Sequence, residues 1–218
     1  MELLYADDAL LAVDKPAGIA TLPGGWKGSC ASEDNLLNLL EAVHGKLWIV
    51  HRLDKITSGV ILFARNATTH RTLSKMFESH LVSKCYHAIC NGRPLWEEHT
   101  ARHRLRPNVG HQHRSAIDHA RGVPAVTHFR VMERFHVHAL LEARTETGRT
   151  HQVRTHAAAL GFPILADMLY GAPSTDVISR PAFHAYMIEF QYDGNSYTFT
   201  APHPDDFETA LRKLRAGR

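Results

Sequence analysis

Residues 57–64, Thr-Ser-Gly-Val-Ile-Leu-Phe-Ala, constrain the fold more than any other stretch of this chain. The unbroken apolar run from Val60 to Ala64 reads as a strand buried on both faces. Thr57, Ser58 and Gly59 are small and turn the chain into that strand. Immediately before them stand His51, Arg52, Leu53 and Asp54. A carboxylate on a tight loop feeding a core strand is held in one place, as a group that does chemistry must be. Arg52 close by favours its ionised form through opposite charge. An ionised, positioned aspartate acts as nucleophile or base. A capped turn uses the same residue types, because Asp, Thr and Ser all bond their own backbone.

The rest of the chain supplies strands and helices in alternation. Leu10 to Asp14 reads as a strand, broken by Lys15-Pro16-Ala17-Gly18, and Pro23-Gly24-Gly25 makes a loop. Leu36, Leu37, Leu39, Leu40 and Val43 follow at helical spacing, with Ser32 or Asp34 as caps and Gly45 as stop. Leu47 to Val50 is a further strand. A helix is expected from about Asn66 to His80, with Leu73, Met76, Phe77 and Leu81 on its core face. Tyr86 to Cys90, Val126 to Glu133 and His136 to Glu142 read as strands. A helix runs from about Thr150 to Leu160, closed by Gly161 and Pro163. A hairpin, Phe183 to Tyr192 and Ser196 to Ala201, turns at Asp193-Gly194-Asn195. The last helix starts near Pro204 or Asp205 and buries Phe207, Ala210, Leu211 and Leu214. Many strands with interspersed helices predict an α+β fold with a mixed, mostly antiparallel sheet flanked by helices.

At 218 residues a single domain, 1–218, is expected. A chain of this size buries about 70% of its unfolded surface, so it needs no disulfide or metal staple. No apolar run approaches the roughly 18 residues of a membrane span. The start carries no basic leader, and Cys30, Cys85 and Cys90 form no CxxC pair, so reduced thiols in a cytoplasm are expected. Net charge is only +3, but its distribution is uneven. Between His99 and Arg121 lie Arg102, Arg104, Arg106, Arg114 and Arg121 with five histidines, against the single acid Asp118. That stretch has little periodicity and contains Pro107 and Gly110. It reads as a long excursion with short strands at most, suited to phosphate contacts. A solvated loop would have the same composition.

The second chemistry-bearing feature is Gly148-Arg149-Thr150-His151-Gln152-Val153-Arg154-Thr155-His156. On the expected helix Val153, Ala157 and Leu160 face the core, and His151, Arg154 and Ala158 share another side. The helix start offers free N–H groups to a phosphate. His-Arg-Leu-Asp-x-x-Thr-Ser-Gly at 51–59 resembles the active-site motif of the RluA family of pseudouridine synthases, and Gly148–His156 resembles its second signature. Leu160-Gly161-x-Pro163-Ile164 and Asp167-x-x-Tyr170-Gly171 continue that signature. Lys84-Cys85-Tyr86 is similar to its Lys-x-Tyr motif, Lys15-Pro16-Ala17-Gly18 to its Lys-Pro-x-Gly element, and Gly122 to Thr127 to a strand entry. Phe183-His184-Ala185 is similar to its Leu-His-Ala. The likeness covers almost the whole chain, in order. Thr155, Ala166 and Phe183 depart from the usual pattern, at packing positions.

The resemblance implies a stand-alone catalytic domain with a central RNA-binding cleft and no separate N-terminal RNA-binding module. It implies isomerisation of uridine in tRNA or rRNA, with no cofactor and no obligate protein partner. Asp54 would be the catalytic nucleophile, Arg154 its salt-bridge partner, and Tyr86 the ring that stacks on the base. Arg52, Thr57, Lys84, Arg149 and His151 join Arg102, Arg104, Arg106 and Arg114 as the expected RNA-binding residues. Rival readings are a non-catalytic RNA-binding protein on the same scaffold and a metal-dependent hydrolase. Seventeen histidines invite the latter. His99 and His103 have helical i, i+4 spacing, and His111-x-His113 is a chelate spacing. No HExxH or Cys/His zinc pattern accompanies them, so no metal is expected. Glu142 and Glu146 are the nearest candidates for a paired-carboxylate site, but nothing in the sequence ties a second acid to Asp54.

Overall fold

The computed structural model describes residues 1–22, 35–110, 112 and 114–217. The loop at Pro23-Gly24-Gly25, the cap candidates Ser32 and Asp34, Cys30, and the His111/His113 spacing lie outside the described residues. In chain order the first elements are β1 (Glu2–Ala6), β2 (Leu10–Lys15), α1 (Leu36–His44), β3 (Trp48–Ile49), β4 (Ser58–Ala64) and α2 (Ala67–Glu78). Next come β5 (Ser83–Asn91), β6 (Glu98–Val109), β7 (Arg114–Ile117), β8 (Val123–Arg134), β9 (His138–Thr145) and α3 (Gln152–Ala159). A 3-10 turn at Met168–Tyr170, β10 (Phe183–Tyr192), β11 (Asn195–Thr200) and α4 (Asp205–Ala216) complete the chain. The class is therefore α+β, with eleven strands and four α-helices among the described residues and mostly antiparallel pairing.

The chain divides into two compact units. The first comprises Met1–Val82 with Ala185–Pro202, the second Ser83–His184 with His203–Arg218. In the first unit the strand order is β1-β2-β4-β10, with β11 on β10 and β3 on β4. Every residue of β4 is buried, as its apolar run predicts. Leu10, Ala12, Val60, Leu62, Leu73 and Phe190 meet in its core. The side chain of Asn35 caps α1, accepting from Asn38 N. Asn66 caps α2 in the same way, accepting from Thr69 N at 2.8 Å. At the other end of α2, His80 takes a positive φ of 59° and Leu81 N donates to Met76 O at 2.9 Å. That i to i−5 bond is the closing bond of a Schellman end. It turns Leu81 off the helix and leaves it 65% exposed, not on the expected core face.

In the second unit the order is β5-β9-β8-β6-β7, and these neighbours pair antiparallel. The stretch expected to be irregular is instead β6, twelve residues paired to β8 from Glu98↔Arg130 to Leu105↔Val123. Only Ala101 and Leu105 on β6 are buried apolar positions. A strand buried on so little of one face lacks the alternation that identifies strands. Phe207, Ala210, Leu211 and Leu214 of α4 are buried as their spacing requires, with acids in the first turn and Lys213 and Arg215 in the last.

Gly59 shows how tightly the strand entry is built. Its φ is +113°, and an added Cβ would overlap the carbonyl oxygen of Ala185 and stand 2.7 Å from Ala185 C. Only glycine combines that backbone conformation with so close an approach to β10. Gly59→Ala should therefore destabilise the protein by at least about 2 kcal/mol, combining backbone strain with overpacking. Gly194→Ala, also at positive φ but with open space around it, should cost less. Urea unfolding of the two variants compares them directly.

Candidate active site

The loop between β3 and β4 is braced on both sides of Asp54. Leu53 is buried, and the Thr21 hydroxyl donates to Leu53 O at 2.8 Å while Leu53 N approaches Thr21 Oγ1 at 3.3 Å. On the other flank Gly18 N donates to Lys55 O at 2.7 Å. Thr57 N donates to Asp54 O at 3.0 Å and closes the turn. The Lys-Pro-x-Gly segment that supplies Gly18 is itself pinned. Lys15 is fully buried, and its ammonium donates to Pro16 O and Ile19 O, each at 2.9 Å. His51 is structural in the same loop. Its Nε2 accepts from Leu62 N at 3.0 Å, and its ring stacks on Phe77 with centroids 4.7 Å apart. The result is a half-buried Asp54 on a rigid platform, with exposed Arg52 two residues before it. Thr57, expected to contact RNA, is buried, and its hydroxyl meets no hydrogen-bond partner among the described residues.

In the second unit the Gly-Arg-Thr-His-Gln segment forms a buried polar network. Arg154 is 4% exposed and Asp167 1%. Arg154 Nε donates to Asp167 Oδ2 at 2.7 Å and Nη2 to Asp167 Oδ1 at 2.8 Å, a bidentate pair. The guanidinium also lies over the ring of Tyr170, 4.9 Å from its centroid. The Tyr170 hydroxyl accepts from Ser115 N at 2.8 Å and bonds His151 Nδ1 at 2.9 Å. His151 holds the left-handed conformation before α3, at φ 52°. Gln152 uses all its bonding capacity. Its Oε1 accepts from Thr147 Oγ1 and Arg149 N, and its Nε2 donates to Val126 O and Thr127 Oγ1. Consequently α3 is buried from Gln152 through Ala157, not on one face alone as its spacing predicts. Arg154 has donors beyond the two that Asp167 takes, since guanidinium carries five N–H bonds.

Tyr86 and Lys84 share one face of β5. Tyr86 is half-buried, its ring stacked on Phe183 at 5.1 Å and 17°. Lys84 is buried, and burial followed by the nearby Arg149 charge holds its ammonium below the usual lysine range. Arg149 itself is exposed and donates to Pro124 O at 3.2 Å.

On β6, Arg102, Arg104 and Arg106 alternate with Ala101, His103 and Leu105, so the three arginines share one face at about 7 Å intervals. Arg102 and Arg104 are exposed, whereas Arg106 pairs with Asp118 at 3.3 Å. Asp118 also accepts from Ala120 N and Arg121 N, which shapes the turn after β7. Exposed Arg114 begins β7, and the neighbouring Ser115 hydroxyl donates to Thr150 O at 2.6 Å. The basic hairpin is thus tied to the Gly-Arg-Thr-His-Gln segment. His99 and His103 lie on a strand, so their four-residue separation spans about 13 Å and forms no helical chelate. The residues that sequence reasoning missed are Thr21, Ser115, Asp167 and Tyr170 as braces. The Asp-x-x-Tyr-Gly string was the signal for the last two.

Residues 9–159 match the RNA pseudouridylate synthase family. The chain is 35% identical over 226 residues to an uncharacterised RNA pseudouridine synthase of Mycobacterium bovis, covering 99% of this chain and 73% of the relative. It is 33% identical to the ribosomal large subunit pseudouridine synthase D of Neisseria meningitidis serogroup B, covering 99% of this chain and 61% of that protein's length. Its fold is similar to that of human RNA pseudouridylate synthase domain containing 4, with a TM-score of 0.80, 23% identity, and coverage of 98% and 93% of the two chains. The chain belongs to the RNA pseudouridylate synthase family, RluA type, whose members are intramolecular isomerases acting on uridine in RNA.

Two measurements follow from the second unit. Asp167→Ala leaves a buried guanidinium without its carboxylate and should cost about 3–5 kcal/mol in urea unfolding. His156 is fully buried, bonds Thr127 Oγ1 at 2.9 Å and faces the His103 ring at 5.3 Å. Burial, then His103, push its imidazole down to about 4 from the usual 6.5. The folded state thus refuses a proton that the unfolded state takes up. His156 therefore contributes its full stability above about pH 6.5, and that contribution is lost as pH falls towards about 4. His156→Gln should flatten the decline of the urea midpoint over that window.

Proposed function

We propose that this protein isomerises a uridine in a tRNA or rRNA stem-loop, in the cytoplasm, with Asp54 as its nucleophile. The observation that carries the reading is the loop that presents Asp54 half-buried, between a Thr21 brace at Leu53 and a Gly18 brace at Lys55. A turn that merely capped the chain needs neither brace. The reaction breaks the uridine C1′–N1 bond, turns the uracil and joins C1′ to C5. The proton on C5 leaves and N1 gains one. No electrons are gained or lost, so the chemistry calls for no redox cofactor.

Attack at C1′, attack at C6 and assistance to departure at the sugar all draw on the same ionised carboxylate of Asp54. Arg154 is proposed as its counter-charge, the role that the family resemblance implies. The fork that Asp167 grips keeps that guanidinium oriented and desolvated, and a desolvated charge acts more strongly on its partner. Tyr86 offers a ring face for the uracil and a hydroxyl for the C5 proton. The target must leave the base stack to be reached, and Arg52 is suited to hold the flipped nucleotide. Arg102, Arg104 and Arg114, with Lys84, Arg149 and His151, supply cationic or hydrogen-bonding contacts to the backbone, and Arg106 adds to them from its pairing with Asp118. The name of the Neisseria relative supports ribosomal RNA as a target class.

Asp54→Asn should fold and bind RNA as the wild type does yet form no pseudouridine above background. Wild-type turnover in that variant removes Asp54 as nucleophile. Replacing Arg102, Arg104, Arg106 and Arg114 together with alanine should reduce the slope of log affinity against log salt by about 2 to 3, at roughly 0.7 per phosphate contact. An unchanged slope contradicts their RNA role. Mapping pseudouridines in total RNA with and without the gene product identifies the target position.

A further inference from the structure

On the face of β5 opposite Lys84 and Tyr86, Cys85 and His87 stand two residues apart, and Glu142 of β9 is directly opposite His87 in register. All three are buried, at 1%, 3% and 8% exposure. One potential ligand atom from each lies within 4.8 Å of the other two. We propose that Cys85, His87 and Glu142 form a structural site for a zinc-class divalent cation behind the strand that carries the Lys-x-Tyr motif. This proposal is independent of the catalytic reading.

A hydrogen-bonded relay sets the coordinating nitrogen. Glu208 Oε1 lies 2.7 Å from His203 Nδ1, and His203 Nε2 lies 2.7 Å from His87 Nδ1. With both rings neutral the protons have one consistent placement. His203 donates from Nδ1 to the carboxylate and accepts at Nε2 from His87 Nδ1–H. The lone pair of His87 is then on Nε2, the nitrogen that does not bond His203. A carboxylate–imidazole chain of this kind orients histidine ligands and raises their basicity.

Glu142 is ionised by its neighbours. Burial alone would raise its carboxyl, but hydrogen bonds from Arg130 and Arg144 hold it below the usual range. Arg130 reaches Glu142 Oε2 at 3.1 Å, and Arg144 reaches Oε1 at 3.1 Å. Their side chains are 51% and 43% exposed, and a carboxylate with about four lone-pair positions keeps capacity for a further ligand bond. The metal-free Cys85 carries its proton, as an ordinary thiol does at neutral pH. Binding therefore converts Cys85–SH and M²⁺ into a metal–thiolate bond and one proton released to solvent. Sulfur, nitrogen and oxygen ligands together suit zinc, with water in the fourth position. Ligand atoms in a tetrahedral site are about 3.5 Å apart, so the three side chains need to close in by no more than about 1.3 Å.

The test uses the full chain, stripped with chelator, reduced, and titrated with Co²⁺ as a spectroscopic probe for zinc. The expected result is one ion per chain with a thiolate-to-cobalt charge-transfer band in the near ultraviolet. The band disappears in Cys85→Ser. In His203→Ala, which leaves the three ligands in place, affinity falls about tenfold. Absence of the band in the wild type overturns the proposal. So does its persistence in Cys85→Ser, which assigns it to another cysteine. Should Cys85→Ser fail to fold, X-ray absorption on zinc-loaded wild type decides. One sulfur with nitrogen and oxygen neighbours supports the site, and a shell without sulfur overturns it.

Discussion

A guanidinium cannot be buried in protein without a partner that replaces its lost hydration, and Arg154 is buried to 4% exposure. Asp167 supplies the partner through two short parallel bonds. The surrounding polar groups follow from that requirement. Tyr170 covers the guanidinium, Ser115 and His151 hold the Tyr170 hydroxyl, and Gln152 ties the start of α3 to β8. Removing any one of them leaves another polar group unsatisfied in a dry interior, which is why the segment behaves as a unit. A buried ion pair of this kind adds little net stability over an apolar replacement, so what it supplies here is a fixed, oriented guanidinium.

The first unit solves a different problem, that of holding a single carboxylate still on a loop. Loops are mobile unless their backbone groups are bonded. Here the carbonyl of each residue flanking Asp54 accepts a hydrogen bond from the Lys-Pro-x-Gly region, and His51 is fixed against β4. The strand that follows cannot shift, because Gly59 abuts the Ala185 backbone. Two motifs distant in sequence therefore serve one side chain. The basic face of β6 presents Arg102 and Arg104 to solvent, and the Ser115 to Thr150 bond couples the hairpin to the second motif.

How much of this was legible in the sequence depended on whether one residue's environment came from its neighbours in the chain. The face of α4 and the strand β4 were legible, because periodicity and an apolar run determine them locally. The tight turn that carries Asp54 into β4 was legible in its small residues. The strand β6 was not, because four of its twelve residues are charged, two more are histidines, and its burial is limited to Ala101 and Leu105 on one face. The burial of α3 on nearly all sides was not, because Gln152, Thr155 and His156 look solvent-facing until β8 and the preceding loop satisfy them. Asp167 lay in plain sight within a motif, yet its role depends on a side-chain meeting that spacing does not reveal. Cys85, His87 and Glu142 come together only through strand register.

The central claim is that turnover depends on the guanidinium that Asp167 holds in place, and not on the stability the pair provides. The most direct measurement is single-turnover release of tritium from uridine labelled at C5 in RNA, by an Arg154→Met, Asp167→Leu double variant. Apolar groups of similar volume in place of a buried pair should preserve the fold, so urea stability stays close to that of the wild type. The account predicts RNA affinity within a few-fold of wild type and a release rate lower by at least about 100-fold, the scale of a lost preorganised charge. Wild-type release from a stable double variant would contradict it.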